Sequence, residues 1–316
     1  MTTSVQVVSF YRFTTVSDVQ ALGESVRREA DARSLLGTAI IAKEGLNATF
    51  SGEKLDLDSL LDWLREQPGF EGIDGRWSLT DAPPFRRLRI KYRDEIVSMG
   101  HAEVNPANGQ GLHVGAEDWN QLIDDPETLV IDTRNLYEIE IGTFDRAVNP
   151  ETRNFREFSD YIDNELADDP DRPIAMFCTG GIRCEKATAV MRDKGFSQLY
   201  QLRGGVLGYL DEIAGDQALE SRWQGECFVF DSRVAVDDTL SPGGYVQCHG
   251  CRRALSDTDL AHDDYEPGIC CAKCVGQLTE VQRRQFLERR NQVALAEARG
   301  ETHIGAVYPA KDEFRR

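Results

Sequence analysis

The feature that most constrains the fold is a series of short apolar stretches alternating with helical patterns between residues 128 and 206. The stretches at 128–132, 173–177 and 199–202 are rich in Leu, Ile, Val and Phe. Amphipathic segments around 155–165 and 186–193 separate them. Short apolar strands that alternate with helices are typical of a parallel sheet covered on both faces. We therefore predict an α/β domain with a central parallel sheet.

The strand at 173–177 ends at a cysteine that is followed by two glycines. Open α/β sheets bind ligands at the carboxyl ends of their strands. The glycines let backbone amides turn inward as an anion-binding nest, and the next helix adds its positive N-terminus. We therefore predict a depressed pKa for Cys178 and a nucleophilic thiolate that could hold a persulfide. The predicted active-site loop consists of Cys178, Thr179, Gly180, Gly181, Ile182 and Arg183.

Other interpretations of this loop are a buried structural cysteine and a tyrosine-phosphatase-type phosphate cradle. The phosphatase loop needs five residues between cysteine and arginine, whereas four separate Cys178 from Arg183. The shorter loop favours sulfur chemistry. Cys184 is either a resolving thiol or a small apolar residue in the first helical turn, and we favour the second interpretation.

The first 95 residues predict a ferredoxin-like (acylphosphatase-like) α+β domain. The pattern gives a strand at 5–13, a helix at 18–33, strands at 35–42 and 47–50 and a helix from about residue 56. A closing strand at 87–92 completes the order β-α-β-β-α-β. The next segment, 94–125, has the composition of a linker.

The predicted closing strand is basic, although the protein as a whole is acidic. Arg87, Arg89, Lys91 and Arg93 occupy alternate positions and so share one face. Such a face could neutralise RNA phosphates, or it could be solvated and paired with neighbouring carboxylates. These four residues are our candidates for RNA binding.

The segment after about residue 221 is rich in cysteine and predicts a metal site. Two Cys-x-x-Cys pairs, Cys248/Cys251 and Cys271/Cys274, suit a closed tetrahedral zinc site of structural type. Reduced thiols that pack a small subdomain are the alternative, and Cys270 is a spare that could replace its neighbour. A polar helix is predicted at 279–299, and the tail after Gly300 is expected to be irregular.

Charge and cysteine content limit the location and the partners. The formal net charge of −18 argues against indiscriminate binding of nucleic acid. We see no signal peptide and no apolar run long enough to span a bilayer, so we expect a cytoplasmic protein without a membrane partner. Eight cysteines in such a chain are typical of catalytic or metal-binding roles.

The middle domain resembles a rhodanese domain. Its opening segment, 132–138, and the later Gly142, Phe144 and Ala147 are similar to the Asp-x-Arg…Glu…Gly-His-Ile…Ala signature of that family. Thr143 stands where many members have histidine. The resemblance implies that the first loop cysteine carries the persulfide. It also implies supporting roles for Asp132 and Arg134.

The whole arrangement resembles the tRNA uridine hydroxylases that contain a rhodanese domain. The matching segments are 43–49, 85–97, 178–187, 223–231 and the tail cysteines. The resemblance implies oxygen-dependent 5-hydroxylation of the wobble uridine (position 34) of tRNA, with Cys178 as the required residue and molecular oxygen as co-substrate. It names no electron donor, and we expect tRNA rather than DNA as the partner.

We therefore expect an α/β multidomain protein with a ferredoxin-like domain at 1–95, a rhodanese domain at 125–220 and a cysteine-rich, zinc-binding region at 221–300. A rhodanese-type sulfurtransferase that carries a cysteine persulfide is the alternative function. A non-catalytic RNA-binding adaptor is a third, and the intact loop cysteine argues against it.

Overall fold

The computed structural model describes residues 5–80, 83–108, 111–216, 218–231 and 233–299. The chain divides after Gly243 into a larger and a smaller compact unit. The tail after Gly300, which we expected to be irregular, lies outside the described residues. No helix in the described ranges is long and apolar enough to cross a membrane.

The first domain is a five-stranded sheet with two helices on one face. Its elements are β1 (Val5–Phe13), α1 (Val19–Ala32), β2 (Leu36–Ala42), β3 (Gly45–Gly52), α2 (Lys54–Arg65), β4 (Arg76–Thr80) and β5 (Leu88–Tyr92). The strand order is β4-β1-β3-β2-β5. Buried side chains such as Val26, Leu57 and Phe50 join the helices to the sheet. The other face of the sheet remains available for a second partner.

The predicted closing strand of this domain is wrong in its position. β4 closes the ferredoxin-like order by antiparallel pairing with β1. β5, which we took as the closing strand, instead adds to the opposite edge and runs parallel to β2. β4 is a five-residue edge strand without a buried side chain. Trp77 of β4 packs against the core but is only partly buried, so the apolar pattern gave little sign of this strand.

The second domain has a four-stranded parallel sheet between two layers of helices, as predicted. Its elements are β6 (Leu112–Val114), α3 (Ala116–Asp124), β7 (Leu129–Asp132), α4 (Leu136–Ile139), β8 (Gly142–Phe144), α5 (Glu157–Tyr161), β9 (Ile174–Phe177), α6 (Ile182–Asp193), β10 (Leu199–Leu202), α7 (Gly205–Gly215), β11 (Trp223–Gly225), β12 (Cys227–Phe228) and β13 (Ala235–Val236). The strand order is β6-β10-β9-β7, with every neighbouring pair parallel.

The central strand β9 shows why the sequence pattern here is continuous rather than alternating. Phe177 packs with Trp119 and Tyr209 on one side of the sheet. Met176 packs with Phe158 on the other side. A strand buried on both faces has apolar residues at every position.

The linker predicted over 94–125 is wrong for its second half. β6 and α3 lie within it, and both belong to the parallel α/β domain. Trp119 and Ile123 of α3 are buried in its core. A strand of three residues after a segment rich in Gly and Asn is too short to give a periodic signal. The α/β domain therefore begins before residue 125, and the boundaries at 95, 220 and 221 stay predictions.

The smaller unit is built mainly of turns. It contains β14 (Val246–Gln247), β15 (Ala254–Leu255), α8 (Asp257–Leu260) and α9 (Glu280–Ala298). α9 confirms the polar helix predicted at 279–299. The core of this unit consists of Leu255, Ile269 and four buried cysteines, namely Cys248, Cys270, Cys271 and Cys274.

Candidate active site

Cys178 occupies the first position after β9, at the carboxyl end of the parallel sheet. The loop that follows curls back at Gly181, whose φ of 99° lies in the left-handed region that suits glycine. The Gly181 N–H group donates a hydrogen bond to Cys178 Sγ at 3.1 Å. Helix α6 begins at the next residue, so its N-terminus adds positive potential at the sulfur.

The surroundings of the Cys178 sulfur favour the thiolate. Burial by itself would raise the pKa of Cys178. The Cys184 thiol, the Arg183 guanidinium and the backbone N–H groups of both residues more than offset burial and lower the pKa to about 5. Burial, together with the neighbouring Cys178 sulfur, raises the pKa of Cys184. Cys184 therefore stays protonated and serves as a donor.

A second glycine-rich segment, after β10, fixes the backbone of the loop. Val206 N–H donates to Cys178 O at 2.9 Å, and Leu207 N–H donates to Thr179 O at 3.1 Å. Gly205 has a φ of 63°, and a Cβ atom there would lie 2.3 Å from Cys178 O. Only glycine allows this close approach of two chain segments.

A buried ion pair holds the arginine of the loop. Both terminal nitrogens of Arg183 donate to Glu138 at 2.7 Å, and Thr179 Oγ1 donates to the same carboxylate at 3.2 Å. Burial opposes ionisation of Glu138, but the Arg183 guanidinium keeps its pKa below the usual range. The bidentate pair fixes the guanidinium, so its charge acts on the sulfur from a defined place.

Asp132 and Arg134, for which the rhodanese resemblance implies supporting roles, form a fully buried ion pair. Arg134 Nη2 donates to Asp132 Oδ2 and to Gly142 O, both at 2.6 Å. Thr143, which stands where related domains have histidine, donates to Asp132 Oδ2 at 2.9 Å. The structure brings this pair together beside the loop but shows no direct contact with the sulfur.

The first domain packs directly on helix α6. Lys186, which is completely buried, donates to Glu44 Oε2 at 2.5 Å and to the carbonyl oxygens of His101 and Val104 at 2.7 and 2.6 Å. Glu95 lies 3.5 Å from the same ammonium group. One lysine eight residues after the loop cysteine therefore links the β2–β3 turn, the connecting segment and the active-site helix.

A tyrosine of the first domain also reaches the loop. Tyr11, on β1, donates from Oη to Glu185 Oε1 at 2.6 Å. A Cβ atom on Gly181 would lie 2.8 Å from that hydroxyl. Burial, and then the charge of Glu185, raise the pKa of Tyr11, so it remains a neutral hydroxyl.

These contacts enclose a cavity of about 1200 Å³ between the loop and the open face of the first domain's sheet. Cys178, Thr179, Gly180, Ile182 and Arg183 line it from the loop side. Six described side chains on the wall are cationic: Arg12, Arg76, Lys91, Arg156, Arg183 and Arg233. Three are anionic, namely Asp74, Glu185 and Asp231. The cavity is therefore locally basic in a chain of net charge −18.

The four RNA-binding candidates lie on or beside β5, but only one of them lines this cavity. Leu88 and Ile90 pack against the core. Lys91 lines the cavity from the opposite face, while Arg87, Arg89 and Arg93 are exposed. The basic stripe thus meets the cavity at Lys91.

Several lining residues escaped the sequence prediction because tertiary structure alone brings them to the loop. Tyr11 and Glu185 are 174 positions apart, yet their side chains are in contact. Phe230, 64 % exposed, reaches the cavity from the segment after β12.

The smaller unit brings four cysteines together as predicted. The sulfur atoms of Cys248, Cys251, Cys271 and Cys274 all lie within 4.8 Å of one another. Three of the separations are 3.7, 3.8 and 3.9 Å. A Zn–S bond of about 2.3 Å and tetrahedral geometry place sulfurs about 3.8 Å apart, so the cluster could bind a metal such as zinc.

Two residues next to these cysteines, Cys270 and His249, do not belong to this cluster. The Cys270 sulfur points to Asp264 O at 3.7 Å and does not replace Cys271. The His249 ring packs edge-on against Phe286, with centroids 4.8 Å apart. The four cysteines therefore form a closed set of ligands, which is typical of structural sites.

Two family matches cover most of the larger unit. Residues 5–96 match the family described as UPF0176 acylphosphatase like domain. Residues 115–212 match the family described as Rhodanese-like domain. Each match coincides with one of the two sheets described above.

Similar solved structures cover one domain each. The rhodanese-like domain of a protein from Anabaena sp. is 17 % identical over 36 % of this chain and 78 % of its own, with a TM-score of 0.29. The thiosulfate sulfurtransferase of Pseudomonas aeruginosa is 24 % identical over 35 % of this chain and 20 % of its own, with a TM-score of 0.27. An acylphosphatase of Coxiella burnetii is 19 % identical over 28 % of this chain and 93 % of its own, with a TM-score of 0.21.

Because these likenesses are weak, the assignment rests on the strand orders and the two family matches. The chain therefore combines a UPF0176 acylphosphatase-like domain with a rhodanese-like domain.

Proposed function

We propose that this protein is a tRNA-modifying enzyme that uses the Cys178 thiolate for oxygen-dependent 5-hydroxylation of the wobble uridine (position 34). The observation that carries the proposal is the position of this thiolate on the wall of a large basic cavity shared by both domains. The pair of domains is also the one that the resemblance to the rhodanese-containing tRNA uridine hydroxylases implies.

The size of the cavity favours a nucleotide over a small sulfur anion. Pockets for drug-sized ligands occupy about 300–1,000 Å³. The cavity of about 1200 Å³ is larger than that range, and the first domain supplies much of its wall. A domain that only transferred sulfur to a small acceptor would not need this second wall.

The charges on the wall suit a phosphate backbone. Arg12, Arg76, Lys91 and Arg156 have no carboxylate at salt-bridge distance among the described residues. Free cations of this kind bind RNA phosphates by displacing counterions, and each contact makes binding more sensitive to salt. Arg156→Gln should weaken tRNA binding and lower by about one the slope of the logarithm of the binding constant against the logarithm of the salt concentration. Arg28→Gln, on helix α1 and 67 % exposed, is the matched control and should change neither.

The thiolate supplies a chemical route to the modified base. Addition of the Cys178 sulfur, or of its persulfide, to the uracil ring at C6 makes the ring electron-rich at C5, where it can react with oxygen. Hydroxylation places one oxygen atom of O2 on C5 and reduces the other to water, so the reaction also consumes two electrons from a donor. Loss of the C5 proton together with expulsion of the thiolate from C6 then restores the C5–C6 double bond.

A sulfurtransferase is the second candidate function, and the backbone environment of the Cys178 sulfur favours it as well. Backbone amides that face Cys178 Sγ would also stabilise a terminal persulfide anion. Release of sulfite from thiosulfate by the purified protein, dependent on Cys178, would support this activity. The two functions are compatible if the persulfide is the form that attacks the ring.

We also propose that zinc occupies the four-cysteine cluster and that the protein works in the cytoplasm, where thiols stay reduced. The sulfur separations support zinc. Elemental analysis of the purified chain should find one zinc per molecule, and Cys251→Ser should lower that amount. A closed four-sulfur site leaves no open position for chemistry, so its role would be structural.

Mass spectrometry of tRNA nucleosides from a deletion strain tests the main proposal. Wild-type protein should restore 5-hydroxyuridine derivatives, and Cys178→Ala should not. Cys227→Ala is the control, because Cys227 is buried away from the cavity and burial raises its pKa to about 12. Unchanged nucleosides in the deletion strain would refute the hydroxylase function.

A further inference from the structure

An exposed phenylalanine lies beside the active-site loop. Phe230 is 64 % exposed and lines the same cavity as Cys178. Its ring centroid lies 6.0 Å from the guanidinium carbon of Arg183. A single exposed apolar side chain is ordinary on a protein surface. This one differs because it lines the same cavity as the loop that carries Cys178.

The ring of Phe230 is held in place without a ligand. Phe228, which is buried, packs edge-on against it with centroids 5.3 Å apart. Phe228 in turn packs against Tyr137 at 5.2 Å. The bend that carries Phe230 is closed by the hydrogen bond from Val229 N–H to Val234 O at 2.9 Å. Since neighbours on one side fix the ring, little conformational entropy is lost when a ligand covers its exposed surface.

The remaining wall limits what such a ligand can be. Arg12, Arg76 and Arg156 provide cations, and Ser9 and Thr38 provide hydroxyl groups. A ligand that satisfies these groups together has a flat face, polar edges and an attached anion. A nucleotide has all three properties. Bases in single-stranded RNA loops are commonly bound by stacking on aromatic side chains.

We propose that Phe230 is the stacking platform that holds the target pyrimidine over the Cys178 loop. This inference rests on the proposed function, whose substrate it describes in more detail. A base stacked within an RNA helix could not enter the cavity, so the base must leave its neighbours first. Phe230 replaces part of the stacking energy that is lost in that step.

Photocrosslinking tests the contact itself, independently of catalysis. The probe is an anticodon stem-loop RNA with 5-iodouridine at the wobble position, because iodouracil crosslinks to aromatic rings on which it stacks. Irradiation with wild-type protein, and with Cys178→Ser to remove the competing thiolate, should label Phe230 in peptide mapping. Labelling that falls elsewhere in both proteins would overturn the inference.

Kinetics of variants tests whether the contact matters for the reaction. Stacking on an aromatic residue is worth about 1–3 kcal/mol per base, so Phe230→Leu should lower kcat/KM about 5- to 150-fold. Phe230→Trp should stay close to wild type, because it keeps a π-face. Leu55→Ala, at an 80 % exposed position on helix α2 outside the cavity, should have no effect.

The pH dependence of Cys178 alkylation separates stacking from a structural role. If Phe230 acted only by placing Arg183, Phe230→Leu would shift the pH midpoint of Cys178 alkylation; we expect no shift. Crosslinking at Phe230 without any 5-hydroxyuridine product would refute the hydroxylase function and leave the stacking site standing. Normal kcat/KM in Phe230→Leu, while Cys178→Ala abolishes the product, would refute the stacking site alone. A peptide-binding surface would instead show neither crosslink nor kinetic effect.

Discussion

The effect of the Cys184 thiol on the pKa of Cys178 predicts a measurable change in thiolate chemistry. The pKa of Cys178 falls from an ordinary 9.0 to about 5, and the Cys184 thiol is the largest of the groups that lower it. A hydrogen bond to a charged acceptor is worth about 1.5–3 kcal/mol, and one pH unit corresponds to about 1.36 kcal/mol. Cys184→Ala should therefore raise the pKa of Cys178 to between about 6 and 7.

Alkylation by iodoacetamide across a pH series measures this change. Because the pKa of Cys178 is lowered, the thiolate persists as pH falls and is lost only below about 5. At pH 6 the rate should drop about two- to tenfold in Cys184→Ala, and above about pH 9 the two proteins should react alike. Trypsin cleaves after Arg183, so the two cysteines are quantified on separate peptides.

Cys184→Ser is the matched control for this experiment. It keeps a hydroxyl donor at the same position, so the midpoint should rise less than in Cys184→Ala. If the midpoint of Cys178 alkylation in the wild-type protein lies near pH 9, the loop does not stabilise the thiolate. An unchanged midpoint in Cys184→Ala would refute the role of the Cys184 donor.

Three further predictions concern the architecture around the site. Gly205→Ala should lower the free energy of unfolding, measured in urea, by more than about 1 kcal/mol, because φ is positive there and the new Cβ would contact the Cys178 backbone oxygen. Gly215→Ala is the control and should be close to neutral, because the space around Gly215 is open. Lys186→Met should lower the free energy of unfolding by about 3–5 kcal/mol, since it leaves the buried carboxylates of Glu44 and Glu95 without their cation. Lys194→Met, at a partly exposed ion pair, should lower it by less than about 1 kcal/mol. Equal losses in the two variants would contradict the stabilising role of the buried lysine. Chelation of zinc should abolish the protease resistance of residues 244–299, and Cys248→Ala should do the same without a chelator. Resistance that survives both changes would argue against a structural metal.

The sequence predicted best what depends on local order. The loop from Cys178 to Arg183 follows a buried strand and precedes a helix, and both neighbours are visible in the apolar pattern. The metal-ligand spacing of the tail cysteines is likewise local within each pair. The parallel sheet was predictable because β7, β9 and β10 are buried on both faces.

The parts that escaped prediction depend on tertiary contacts or on backbone pairing. β4 and β6 are short edge strands placed by hydrogen bonds to β1 and β10. The cavity exists because the buried Lys186 and the Tyr11 hydroxyl hold the first domain against helix α6. The apolar periodicity of the sequence does not predict contacts of this kind between two domains. Residues such as Phe230 therefore become candidates only once the two domains are seen together.

A covalent trap tests the central claim most directly, namely that the Cys178 thiolate attacks a tRNA uridine. The substrate is a tRNA anticodon arm with 5-fluorouridine at the wobble position, on which the reaction should stall after addition. Mass spectrometry should find an RNA adduct on the peptide that contains Cys178, and Cys178→Ala should form none. If the wild-type protein binds this RNA but forms no adduct on Cys178, the account of the thiolate as the attacking group is wrong.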